Sequence, residues 1–486
     1  MLSDVLDKRV HVSWKISVYF LGAVVGVACI LILDYRRFSG SDWLIVSLTL
    51  AFIGFLRCSK ISLVMGFIAG VSIGLWAGAV QQSKLNAYQD LYGTEQSITG
   101  RISGDVVVTE SGQSRLAIDR IFVNDNSYHG EVWTQMYSGV DMKRGDVVKV
   151  RGTVGEGFGV YPASIFIAEL VDISRPVRSD VIGTARDSFS QRVTQSIDGP
   201  EGLLGVSFLV GQRSMLPSFI QDEFRALGLV HLVVASGFHL TIVIRFVRRL
   251  LSRATKYLAT TMSFAVIGVF LLLTGFSTSM TRASLVAGIS LLTWYFGRAV
   301  HPVVLLLTVA GVTALINPSF VWGDVAWYLS FSAFAGVIIL APLLREYFWG
   351  SDKEINALHY IVLATTSAQI ATFPIIAYTF GQYSPLALVS NLLILPLVPL
   401  AMLLTFVTGL VTYVSYFLGS LLGSVATVVL SYITFVTGWL VQSPWAIGTI
   451  EMSLSLVMFN YVGLVLVVLY LQKVTSLKLR KENPIE

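Results

Sequence analysis

Three side chains with reactive potential interrupt an otherwise apolar run at 228–243, GLVHLVVASGFHLTIV: His231, Ser236 and His239. Three kinds of chemistry compete for them. Ser236 and His239 stand three residues apart, so on a helix they share a face and offer a nucleophile with its base. His231 and His239 offer imidazoles to a metal. In the third reading the groups are polar lining at a helix junction, meeting exposed backbone or a passing solute. Polar groups at membrane depth are costly and point to function by default.

The first two readings lack supporting groups. VASGFH departs from the GxSxG elbow because Val234 stands where the first glycine belongs. A serine hydrolase also needs an acid behind its histidine and an oxyanion hole, and the nearby carboxylates, Asp222 and Glu223, lie well upstream. Eight residues of helix separate His231 from His239 by about 12 Å. One ion cannot bridge them unless the helix breaks at Gly237, and no third ligand accompanies them. The six histidines form no HxH or HExxH pattern. Cys29 and Cys58 form no CxxC, so zinc ribbons and disulfide scaffolds are excluded. No Gly-Lys pair occurs, which excludes a Walker A loop. The expectation is no catalytic set, no metal and no cofactor.

The elements that must position these residues are membrane helices. Of the 486 residues 54% are hydrophobic and 13% charged, with mean hydropathy +0.72. Soluble domains carry about 25% charged residues, so this chain has too little polar surface for a soluble globule. Its net charge of +5 is too small for a protein that coats nucleic acid. The fold expected is a polytopic α-helical membrane protein with an inserted small β-barrel, OB-like and extracytoplasmic.

The domains follow from shifts in character. Residues 1–85 hold about three spans, near 15–33, 42–56 and 61–80, the first read as a retained helix rather than a signal peptide. Gly66, Gly70 and Gly74 in the third form a small-xxx-small row for helix packing. Residues 96–173 turn polar, with five candidate strands: QSITGRISGDVVV, SRLAIDRIFV, GEVWTQMY, GDVVKVRGTV and SIFIAELVDI. Turn residues separate them, among them Glu110, Asp125 and Gly145. Val148 and Val150 alternate with Lys149 and Arg151, a period of two. Five short strands suit a small barrel, of which the OB-fold is a common form. Seven basic against ten acidic residues there give a net charge of −3, which argues against DNA binding by this domain alone. Trp133, Tyr128 and Tyr137 are read as packing rather than as base platforms. Residues 177–200 form an amphipathic interfacial helix. Residues 201–473 are a second membrane domain, with 202–211 too short to span alone and 228–247 read as one span. Gln369, Pro374, Asn391, Pro396 and Pro399 interrupt later spans, as broken helices do where they line a wet cavity.

Basic residues near span ends set orientation. Arg245–Lys256, Arg345 with Lys353, and the tail 474–486 with Lys478, Arg480 and Lys481 are expected inside. Lys8, Arg9 and Lys15 place the N-terminus inside, and three spans then leave 96–173 outside.

At this point the residues resemble a known family. GLVHLVVASGFHLTIV is similar to the GLxHLLAISGLHVxLV signature of the ComEC competence family. TGFSTSMTRASLVAGISLLTWYFGRAVHP, INPSFVWGDVAWYLSFSAFAGVII and ATFPIIAYTFGQYSPLALVSNLLILPLVP resemble further signatures in the same order, and LLGVSFLVGQRSMLP resembles one upstream. The resemblance implies an inner-membrane channel importing single-stranded DNA during natural transformation. It marks Gly228, His231, Ser236, Gly237, His239, Thr274, Arg282, Arg298, Ser330, Gln369 and Asn391 as channel or signature positions, without saying which touch DNA.

The resemblance also implies partners: single-stranded DNA, membrane lipids, a cytoplasmic helicase-like ATPase, an external DNA-binding protein, and a second copy in a homo-oligomer. Many members carry a metallo-β-lactamase-like C-terminal domain. No HxHxDH pattern occurs here, so a form lacking that domain and working with a separate nuclease is expected. The cysteine pair often found in the family's OB-like domain is absent, and Tyr328 stands where glutamine is usual. Arg282 follows Ser277-Thr278-Ser279 at an expected external span end, so it is expected to contact incoming phosphates, with snorkelling to lipid head groups as the competing role. The alternative function is a membrane-embedded hydrolase or small-solute transporter using the Ser236/His239 pocket.

Overall fold

The computed structural model describes residues 11–475 except 57–59, 110, 125, 138, 141, 176–180, 213–214, 235, 276, 299 and 351–355. The expectations resting on Lys8, Arg9, Cys58, Glu110, Asp125, Lys353, Lys478, Arg480 and Lys481 lie outside the described residues. Among those described, seven helices are long and apolar enough to cross a membrane, and one bent pair adds an eighth candidate. The chain divides into two compact units, one of residues 1–180 with 303–327 and one of 181–302 with 328–486.

The first unit begins with helices α1 (Val12–Cys29), α2 (Asp42–Leu56) and α3 (Ile61–Asn86). Gly22 and Gly26 of α1 interlock with Gly70 and Gly74 of α3. A Cβ at any of the four would overlap the facing backbone, which is how small residues bring membrane helices together. Lys15, one of the basic residues expected to favour an inside N-terminus, is buried (3% exposed) and its ammonium donates to the Gly54 carbonyl at 3.3 Å.

The sheet that follows holds β1 (Glu95–Ile102), β2 (Val107–Val108), β3 (Gln113–Val123), β4 (Asn126–Tyr128), β5 (Val132–Tyr137), β6 (Val147–Thr153), β7 (Gly155–Phe158) and β8 (Tyr161–Ser174). The five long strands fall where alternation predicts them, and β2, β4 and β7 are short additions. The order is β1-β6-β8-β5-β3-β2, with β5 and β8 parallel, and β1 also pairs with β3. The register of β1 against β3 shifts between Thr99 and Arg101, around Gly100, where a Cβ would overlap the Ile118 side chain and the Asp119 carbonyl. Ile98, Ile102, Leu116, Ile118, Ile121, Val132, Val148, Val150 and Ile165 fill the interior. Lys149 and Arg151 point out, as the period of two requires. Trp133 packs against Phe158 and Tyr161, and Tyr128 against Tyr88.

The second unit opens with α4 (Val181–Ser196), α5 (Gly199–Val210), α6 (Ser218–Ala226), α7 (Val230–Val233), α8 (Gly237–Leu250), α9 (Lys256–Thr274) and α10 (Thr278–Tyr295). Next come α11 (Pro302–Ile316) and α12 (Ser319–Gly323), which belong with the first unit save for Pro302; there the Trp322 indole donates to the Val27 carbonyl at 2.8 Å. Then α13 (Val325–Ala335), a π turn (Gly336–Leu340) and α14 (Ala341–Trp349) run on as one long span. Pro342, lacking an N–H, sits just past the π turn.

The last helices are α15 (Ala357–Phe380), α16 (Ala387–Ile394), α17 (Val398–Val414), α18 (Tyr416–Val441) and α19 (Leu454–Thr475). The chain bends by 47° between α16 and α17, where Pro396 and Pro399 interrupt the hydrogen-bond ladder. A two-stranded ladder, β9 (Gln382–Tyr383) with β10 (Gly448–Thr449), ties the turn after α15 to the turn before α19. The amphipathic helix α4 is also more than a surface helix. Phe189 and Val193 pack onto Gly409 of α17, and the Ser196 backbone packs onto Gly423 of α18.

The expectation of one span over 228–247 is corrected. The chain there forms the short α7 and then α8, with Val234 and Ser236 in extended conformation between them. The apolar run reads as continuous, but the Ser236 hydroxyl and backbone offer the chain an alternative to the helical ladder.

Candidate functional site

The junction is built from the residues singled out by type and spacing. Gly228 follows α6 with φ +70°, a left-handed conformation that glycine adopts without a Cβ clash. A Cβ on it would also come within 3.0 Å of the Ala387 Cβ. The neighbouring Leu227 carbonyl accepts from Ser390 Oγ at 3.0 Å. The turn into α7 is thus fitted against the start of α16, and Asn391 stands one residue beyond that contact. His231 Nδ1 lies 3.2 Å from the Gly228 carbonyl and, as a donor, closes the turn.

Ser236 and His239 meet as the two halves of a helix cap. The Ser236 backbone N–H donates to His239 Nδ1 at 3.2 Å, and Ser236 Oγ lies 3.0 Å from the same nitrogen. Ser236 is the N-cap of α8 and His239 its third residue, so the imidazole does what glutamate does in a capping box. A hydrolase needs the other arrangement, with an acid on one ring nitrogen and the serine on the other. Asp222 instead pairs with Arg225 at 2.9 Å, and Glu223 accepts from Thr437 Oγ1 at 2.8 Å. Among the described residues no cluster of three His, Cys, Asp or Glu side chains is placed to hold a metal.

The same junction joins two motifs. Gly237 lies against Ala283 of α10, where an added Cβ would approach the alanine Cβ to 3.2 Å. The His239 ring sits 6.2 Å from Phe208 of α5. One residue before Ala283, Arg282 is buried (3% exposed), with its guanidinium 5.3 Å from the Phe331 ring centre on α13. In this conformation Arg282 lies in the second turn of α10 and faces α13. Thr274 bonds back to the Phe270 carbonyl at 2.9 Å, and Gly275 then ends α9 in a left-handed turn.

The remaining signature positions scatter. Ser330 is half-buried on α13, one residue before Phe331, and Arg298 is exposed beyond α10. Gln369 Nε2 on α15 and Asn391 Oδ1 on α16 are buried and have no hydrogen-bond partner among the described residues. So are Ser284 and Ser290 Oγ on α10 and Ser367 Oγ on α15. Asn391 Nδ2 itself donates to the Ala387 carbonyl at 2.7 Å.

One arrangement was missed from sequence: Glu201 Oε1 accepts from Ser431 and Thr434 of α18, one turn before Thr437 donates to Glu223. The hydroxyls recur every three residues in SYITFVTGW, a signal that was present but lies far from both carboxylates in the chain.

Fold and site define a multi-pass helical membrane protein that carries a β-sheet domain and has a broken, polar helix junction in its larger membrane segment. The family model described as Competence protein matches residues 208–474, more than half of the chain. The chain belongs to that family. ComE operon protein 3 of Bacillus subtilis (strain 168) is 25% identical over 193 residues, covering 38% of this chain. The match spans 23% of that relative. No solved structure matches.

Proposed function

We propose that this chain is an inner-membrane channel that imports single-stranded DNA during natural transformation. The observation that carries the reading is the set of buried polar groups on α10, α15 and α16 that have no hydrogen-bond partner among the described residues, all inside the family segment. A dry bundle leaves each at a cost of about 1–3 kcal/mol; a wet passage satisfies them. A strand with one charge per nucleotide needs such a passage, lined by sparse cations so that its phosphates move on. Arg282, held over Phe331, is the cation we assign to that path once α10 and α13 part.

The β domain fits the same reading. The pairing path returns from β3 to β1, which supports a small closed barrel of OB type, and we place it outside the cell membrane's cytoplasmic face. Traction and processing then fall to a cytoplasmic helicase-like ATPase, an external DNA-binding protein and a separate nuclease, with assembly as a homo-oligomer. The test is deletion of the gene. Labelled DNA should still bind the cell surface but no longer reach the cytosol, and Arg282→Gln should lower import with the protein retained in the membrane. Undiminished transformation in the deletion strain refutes the channel.

A further inference from the structure

A second polar feature of the larger unit lies away from the junction. The end of α8, the 251–255 turn, the start of α9 and the end of α10 enclose an open pocket of about 680 Å³. Arg245, Arg248, Arg249, Ser252, Lys256 and Trp294 are among its lining, and no carboxylate is among the described residues that line it. The cations are arranged rather than splayed. Arg248 stands 4.3 Å and Lys256 4.9 Å from the centre of the Trp294 ring, a cation–π arrangement that fixes both heads.

We propose that this pocket binds the phosphate head group of an anionic phospholipid, with a diphosphate head group such as diphosphatidylglycerol fitting best. Three observations select lipid over a nucleic-acid strand. The pocket lies where α9, a helix long enough to cross a membrane, begins at Lys256, and so at the membrane boundary. Its surroundings are apolar and exposed, with Phe246, Leu250, Tyr257 and Leu258 all more than a third exposed, as acyl chains require. Trp294 is engaged by cations rather than offered to a base, whereas strand-binding grooves present aromatic faces for stacking. Basic pockets between membrane helices at this level take phosphate head groups. The site is independent of the DNA-import reading.

The test uses the full chain in detergent micelles and three probes: diphosphatidylglycerol, phosphatidylcholine and a twelve-nucleotide thymidine oligomer. Diphosphatidylglycerol should raise the unfolding temperature saturably, and phosphatidylcholine should not. Arg245, Arg249 and Lys256 are exposed, so the triple change R245Q/R249Q/K256Q removes charge from the pocket and, of the contacts described, loses only that of Lys256 with the Trp294 ring. It should weaken the lipid effect about a hundredfold, at about fivefold per basic group. An unchanged lipid response in the triple variant overturns the proposal. So does a response to the oligonucleotide alone that the triple variant abolishes, which would make the pocket a strand site. Should the triple variant fail to fold, native mass spectrometry of the unmodified chain decides. Diphosphatidylglycerol adducts that outlast phosphatidylcholine adducts support the site, and their absence removes it.

Discussion

Glycine does opposite work in the two membrane regions. In the first unit Gly22, Gly26, Gly70 and Gly74 sit inside unbroken helices and let α1 and α3 touch backbone to backbone. In the second, Gly228 and Gly237 flank a break: one turns the chain with φ +70° and the other opens a new helix. Neighbouring residues decide which occurs. The first pair is surrounded by apolar and small residues with nothing to compete for the backbone. The second has Ser236 and His239 ready to cap a helix start. A glycine in a span is therefore read together with the polar groups beside it.

The comparison can be broken most severely at the close pair. Gly70→Leu forces bulk into the facing backbone and should destabilise the chain by about 3 kcal/mol, read as a fall in the unfolding temperature. Only a wild-type melting curve would refute the interlocked contact. Gly228→Ala meets both the left-handed backbone and Ala387, and about 1–2 kcal/mol should be lost. A neutral result there would mean that the turn relaxes.

His239→Leu removes the cap acceptor and should cost about 1 kcal/mol, whereas His239→Asn keeps an oxygen near the Nδ1 position and should recover most of it. Equal losses in the two variants would assign the histidine to something other than capping. A fluorophosphonate probe should leave Ser236 unlabelled, and covalent labelling there would revive the hydrolase. The smallest effect is expected in the sheet, at the Arg101–Asp119 pair, a two-pronged contact of 2.6 and 3.0 Å with both partners partly exposed. Arg101→Ala should cost about 0.5 kcal/mol in low salt and less in high salt.

What was legible in the sequence was periodic. The long spans announce themselves by apolar length, and β6 announces itself by Val148 and Val150 alternating with Lys149 and Arg151. The family signature was legible because four segments recur in order. What was not legible depended on partners distant in the chain. The break before Gly237 hides in an apolar run, and its cap escapes the usual S-x-x-E pattern because histidine takes the acidic position. The Gly54 carbonyl that meets Lys15 and the Phe331 ring that meets Arg282 are brought to them only by the fold. The packing of α4 onto Gly409 and Gly423 reads, from sequence, as one more amphipathic surface.

The small ladder between β9 and β10 carries a rule about crossings. Two turns that share backbone hydrogen bonds lie on one side of the bilayer, so the chain between Tyr383 and Gly448 must traverse it an even number of times. The bent pair α16–α17 therefore counts as a full passage that α18 reverses, or else neither helix crosses. The length and apolarity of α18 favour the former. That parity holds whichever face the basic loops choose, and it can be read by asking whether single cysteines placed at Gln382 and Thr449 react with the same impermeant reagent.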